Sequence, residues 1–165
     1  MKHHVISWYI QVRTMGLEIG DSLPSFQLKD QNGSTFAIDG LKGNQAIVIY
    51  FYPRNFTPGC TKEACSFRDN FEDFSSAGAA VIGISGDSEA SHKKFSKRYN
   101  LPFTLLADTK GKVKRLFGVK STFLGMLPGR ETFVFNKEGI LTYKFQSLNA
   151  QPHIDRALRE LKKLK

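Results

Sequence analysis

The stretch Ala46 to Tyr52, AIVIYFY, is a near-continuous run of β-branched and aromatic residues. A strand with one wet face alternates polar and apolar residues, whereas a strand that is apolar throughout is buried on both faces. Pro53 follows and ends the run, since proline cannot donate to a strand ladder. AAVIGIS, from Ala79 to Ser85, and FTLLAD, from Phe103 to Asp108, read as two more buried strands. Such strands need cover above and below, which points to an α/β sheet with helices on both faces.

The remaining segments fit that plan. SFQLKDQNGSTFAI gives two short extended runs around Asn32-Gly33, a hairpin signal. A helix is predicted to start near Pro58–Thr61. Cys60, Ala64, Phe67, Phe71 and Phe74 recur at helical spacing, and Gly78 marks its end. Asp87 or Ser88 caps a helix from Glu89 to about Tyr99. Lys110 to Phe117 reads as a short helix. ETFVFN and ILTYKFQ flank Lys137-Glu138-Gly139 as a second hairpin. PHIDRALRELKKLK is a last amphipathic helix, with Ile154, Leu158, Leu161 and Leu164 on its apolar side. The order of elements fits a thioredoxin-like layout among several others. Residues 16–165 are expected to form one domain. Residues 1–15, with their short apolar run Val5–Ile10, are expected to be a loosely ordered extension, and Met15 is a second candidate start.

The formal charge is +9, from 24 Lys and Arg against 15 Asp and Glu. Those cations are spread along the chain, with local density only near Lys110–Arg115 and Arg156–Lys165. No nucleic-acid motif accompanies them, so no nucleic-acid partner is expected. No apolar run approaches the roughly 18 residues of a membrane-spanning helix. Without a recognisable export signal, a cytoplasmic location is expected.

Both cysteines lie in PRNFTPGCTKEACSF. Cys60 falls in the first turn of a predicted helix, where unpaired N–H groups and the helix dipole favour a thiolate. Pro58 and Gly59 shape the entry to that turn. An inert buried cysteine is the plain alternative. On an intact helix, residues five apart have Cα atoms roughly 8–9 Å apart, beyond the roughly 7 Å reach of a disulfide. Either Cys60 and Cys65 never pair, or the first turns must unwind. Zinc would need two more ligands, and His3, His4, His92 and His153 have no familiar spacing to the cysteines; no metal or other cofactor is expected. A dithiol reductase would want Cys-x-x-Cys, but here four residues intervene.

YFYPRNFTPGCTKEAC resembles the active-site signature of peroxiredoxins, whose core of Pro, Thr and Cys is matched by Pro53, Thr57 and Cys60. The second cysteine, together with GISGDSEASHKKFSKRYNLPFTLLAD and LPGRETFVFNKEG, resembles the subfamily called PrxQ or bacterioferritin comigratory protein. The resemblance runs from about Gly16 to the C-terminus. It implies a thioredoxin-like fold of the peroxiredoxin type: a central mixed sheet flanked by helices, with an N-terminal hairpin. It also implies a thiol peroxidase for hydrogen peroxide and organic hydroperoxides.

In that reading Cys60 is the peroxidatic cysteine and Cys65 the resolving one. Thr57 would hydrogen-bond the thiolate and the peroxide, and Pro53 would shield them from water. Arg130, just before a late strand, would stand beside the thiolate. Glu63 would position Arg130 or the helix, or else be a surface carboxylate. The reductant would be thioredoxin or a similar dithiol, and the protein a monomer. His92 reads as a helix-surface histidine, and His153 likewise, at the start of the last helix. The competing readings are a redox sensor that passes its disulfide to a partner, and a binding module with inert cysteines.

Overall fold

The computed structural model describes residues 16–121 and 129–165, so the expected N-terminal extension lies outside the described residues. The chain enters its sheet through the predicted hairpin, β1 (Gln27–Asp30) and β2 (Thr35–Ala37). Its turn is built locally. The Asp30 carboxylate accepts the N–H groups of Asn32 (2.8 Å) and Ser34 (3.0 Å), and Gly33 supplies a φ of 78°. After a 3-10 turn at Ile38–Leu41 come β3 (Ala46–Phe51), α1 (Pro58–Asp69), α2 (Phe71–Ser76) and β4 (Ala79–Ser85). Then follow α3 (Glu89–Tyr99), β5 (Thr104–Ala107), α4 (Lys112–Phe117), β6 (Glu131–Phe135), β7 (Leu141–Gln146) and α5 (Gln151–Lys163).

The sheet is mixed, in the order β2-β1-β5-β4-β3-β6-β7. β3, β4 and β5 are parallel, β1 and β6 join them antiparallel, and β7 pairs antiparallel with β6. All six residues of β3 are buried, which explains why its sequence shows no alternation. The alternation exists in space. Val48 and Tyr50 face one core with Cys60, Ala64 and Phe67 of α1, Phe74 of α2, Phe95 of α3 and Ile154 of α5. Ile47, Ile49 and Phe51 face the other, against Val113 and Phe117 of α4.

An aromatic stack fixes α1 to the sheet. Tyr50 lies 4.5 Å from Phe67 and 5.3 Å from Tyr52, centroid to centroid. Its ring passes directly over Gly83 of β4, where a Cβ would meet the Tyr50 hydroxyl at 2.8 Å.

Three expectations need correction. The helix expected to run unbroken to Gly78 is divided at Asn70, whose main-chain angles (φ −104°, ψ 12°) are not helical. The Asn70 amide folds back onto the Ser66 carbonyl (2.8 Å) and competes with the helix ladder. Leu164 falls at the frayed end of α5 and stays exposed, and Ala157 fills the apolar face instead. His92 and His153, read as surface residues, are both fully buried. Ser88, not Asp87, caps α3, its hydroxyl accepting the Ser91 N–H at 3.2 Å.

Candidate active site

β3 ends at Phe51, and after six intervening residues α1 begins with Pro58 as its first residue. Cys60 therefore sits in the opening turn of α1, among N–H groups that no helical carbonyl reaches. It is 1% exposed. β6 runs antiparallel beside β3, and Phe51 pairs with Glu131. That register leaves Arg130 just beyond the end of β3, level with the start of α1.

The Arg130 guanidinium uses this position twice. Nη2 donates to Cys60 Sγ (3.3 Å), and Nη1 donates to Glu63 Oε1 (2.6 Å). Glu63 lies one turn beyond Cys60, is fully buried, and is not the surface carboxylate of the alternative reading. Burial pushes its carboxyl up to about 8, against the pull of Arg130. Burial works against the charge of Arg130, but Glu63 and Cys60 hold its proton more firmly than usual. Gly59 leaves room for the guanidinium, since a Cβ there would lie 3.1 Å from Nη2.

Behind Glu63 stands His153, at the start of α5 as expected but turned inward. Its Nε2 donates to the Ser147 carbonyl (2.9 Å), so Nδ1 is left to accept the Thr132 hydroxyl (2.8 Å). Nδ1 also lies 4.0 Å from Glu63 Oε2. Burial lowers the His153 ring to about 4, so it is neutral at ordinary pH.

Other expected site residues are placed differently. Thr57 is the N-cap of α1, but its hydroxyl donates to the Arg54 carbonyl (2.9 Å) rather than to Cys60. Pro53 is half-buried and lines a cavity of about 230 Å³ with Tyr52, Ser85, Asp108 and Lys114. Cys65 is half-buried on α1, and both cysteines are free thiols. The sequence reading missed the inward turn of both histidines. Spacing held the signal: His92 shares its helix face with Phe95 and Tyr99, and His153 adjoins Ile154 and Ala157.

The AhpC/TSA family model matches residues 19–144. The chain belongs to the AhpC/TSA family. It is 50% identical over 147 residues to the chloroplastic peroxiredoxin Q of Sedum lineare, covering 88% of this chain and 78% of that one. The crystal structure of the peroxidoxin BcpB of Mycobacterium tuberculosis superposes with a TM-score of 0.83 at 36% identity, over 90% of this chain and 99% of the other. The bacterioferritin comigratory protein of Xanthomonas campestris, known from structures bearing on its alkyl peroxide reduction activity, gives 0.78 at 30% identity, over 87% and 98%.

Within the family the chain is thus a peroxiredoxin of the Q or bacterioferritin-comigratory-protein type, with the thioredoxin-like fold expected of it. It is a thiol-dependent peroxidase, and the relay and inert-module readings are not favoured. Among the described residues no helix is long and apolar enough to cross a membrane. The plant relatives named peroxiredoxin Q, from Sedum lineare and Populus jackii, are chloroplastic, so they lend no support to the expected cytoplasmic location.

Proposed function

We propose that this peroxiredoxin uses Cys60 as its peroxidatic cysteine and Cys65 as its resolving one. The observation that carries this reading is the 3.3 Å contact between buried Arg130 and buried Cys60 at a helix start. The Cys60 thiolate attacks one oxygen of a hydroperoxide. An S–O bond forms as the O–O bond breaks, and the departing oxygen takes a proton to leave as alcohol or water. Cys60 remains as a sulfenic acid. Arg130 and the N–H groups of the first turn stabilise the charge that grows on the leaving oxygen.

Glu63 positions Arg130, and Gly59 gives the guanidinium its space. The Thr57 hydroxyl rotates from the Arg54 carbonyl towards sulfur and peroxide, and Pro53 limits water. Next, the Cys65 thiolate attacks the Cys60 sulfur. An S–S bond forms, and the hydroxyl leaves as water after taking a proton. The spacing of the two cysteines requires the first turns of α1 to open for this step. A dithiol such as thioredoxin returns the two electrons by disulfide exchange. Hydrogen peroxide and organic hydroperoxides are the substrates, in keeping with the alkyl peroxide reduction of the Xanthomonas campestris relative. A bond within one chain suits a monomer.

The test mixes reduced protein with one equivalent of hydrogen peroxide and reads mass and disulfide linkage. Wild type should lose both thiols into one intramolecular Cys60–Cys65 bond. Cys60→Ser should abolish turnover. Cys65→Ser should keep the first reaction and lose disulfide-driven recycling. Full turnover by Cys60→Ser would refute the assignment.

A further inference from the structure

The loop from Pro53 to Thr57 delivers the chain from β3 to Cys60, yet it has little main-chain support. Its main chain makes a single turn at Asn55 and Phe56, and the Asn55 N–H goes to a side chain rather than to a carbonyl. It also contains Phe56 at a φ of 63°, a conformation that bulky L residues rarely adopt. Such a conformation persists only where the surroundings over-determine it.

Side chains supply that determination, and Asn55 is their meeting point. It is 4% exposed, and its N–H and both side-chain polar atoms are all hydrogen-bonded. Its N–H donates to Asp87 Oδ2 (2.9 Å), and its Oδ1 accepts the Tyr52 hydroxyl (2.6 Å). Its Nδ2 donates to Ser91 Oγ (3.1 Å) and to His92 Nδ1 (3.0 Å). His92 reaches this point from inside α3 and is fully buried. Burial depresses its ring and so favours the neutral imidazole, whose Nδ1 accepts from the Asn55 amide when the proton is on Nε2. Phe56 then packs on the same helix, 5.2 Å from Phe95.

We propose that Asn55 and His92 are positioning residues for the peroxide step: through one buried hydrogen-bond network they hold the Pro53–Thr57 loop in the shape that sets Cys60 against Arg130. Neither residue has a hydrogen bond to the sulfur, and both act through the loop. The inference rests on Cys60 being the attacking thiol. It separates the two chemical steps. Reaction with peroxide needs the loop held, whereas disulfide formation needs the adjoining turn released.

The experiment follows both steps by quenched single-turnover mass spectrometry, with circular dichroism confirming each variant's fold. Asn55→Ala and His92→Leu should slow the peroxide step by about tenfold or more, as small displacements of reacting groups do. Disulfide formation after the sulfenic acid should be no slower than in wild type. His92→Asn places an acceptor oxygen where Nδ1 sits and should restore most of the rate that His92→Leu loses. If those variants do not fold, Ser91→Ala serves, with an expected slowing of about threefold for one lost hydrogen bond. A peroxide step at the wild-type rate in the folded variants overturns the proposal, as does equal slowing of both steps or failure of His92→Asn to rescue. A wild type in which peroxide spares the Cys60 thiol would instead sink the reading of Cys60 itself.

Discussion

Two buried polar clusters flank the start of α1, and they are built on opposite terms. The first joins Cys60, Arg130, Glu63 and His153, and it is organised by charge. The second joins Tyr52, Asn55, His92 and Ser91, and it is organised by neutral hydrogen bonds tied to Asp87. In the first, Glu63 Oε2 and Arg130 Nε have no hydrogen-bond partner among the described residues. In the second, Asn55 has partners for all of its side-chain and N–H groups, and His92 Nε2 is the one ring nitrogen left without a partner among the described residues. A neutral network converging on one side chain fixes geometry. A cluster built round a guanidinium supplies electrostatic stabilisation, which fits a site that must meet new charge on a reacting oxygen.

Removing the charge should break the contrast most forcefully. Arg130→Ala deprives Cys60 of its cationic neighbour and leaves Glu63 buried without its partner. The peroxide step should fall by about 100-fold or more in single-turnover measurements. Denaturant titration should show a loss of about 1–3 kcal/mol at neutral pH, where Glu63, held at about 8, is mostly protonated and loses a hydrogen-bond partner.

Titration should sharpen the contrast next. His153 binds a proton at about 4 in the folded chain and near 6.5 unfolded, so its contribution to stability is lost as pH falls from 6.5 towards 4. Glu63, held at about 8 when folded, acts in the other direction: stability falls as pH rises from its unfolded value near 4.5 to 8. The two partly cancel between 4.5 and 6.5. Glu63→Gln should therefore steepen the acid decline, towards about 3 kcal/mol between pH 6.5 and 4, in unfolding titrations. An unchanged acid slope would contradict the opposed roles.

The smallest change adds one methyl. Gly59→Ala presses a Cβ against Arg130 Nη2 at 3.1 Å and should slow the peroxide step several-fold. Its effect on the free energy of unfolding should be under about 1 kcal/mol, because the guanidinium is a side-chain end that can shift.

Much of the frame could be read from residues with strong local preferences. α3 spans Glu89–Tyr99 as expected, because Ser88 caps one end and Asn100 closes the other in the left-handed conformation (φ 51°). The Asn32-Gly33 hairpin and the all-apolar β3 were equally legible, since their signals lie within a few residues. Of the residues singled out beforehand, Cys60, Glu63 and Arg130 do meet in space, but no spacing rule could bring Arg130 across 70 positions; only the motif resemblance did.

What escaped detection was side-chain direction. A histidine is compatible with either face of a helix, and polar Asn55 in a loop gives no hint that it is buried. Thr57 shows the same limit, since a capping threonine has several acceptors within reach and the sequence does not rank them. The break at Asn70 was hidden because the apolar spacing continues through it: Phe74 is as fully buried as Phe67.

That break bears on how far a chemical event at Cys60 travels. Helices transmit strain along their ladder, and the ladder of α1 stops at Asp69. Phe67, pinned under Tyr50, is a fixed post just before the stop. In the proposed cycle, α1 then behaves like a fuse of set length. Its front burns when the disulfide forms, while α2 and the strand it leads into remain out of circuit, ready to re-template the helix when the electrons return.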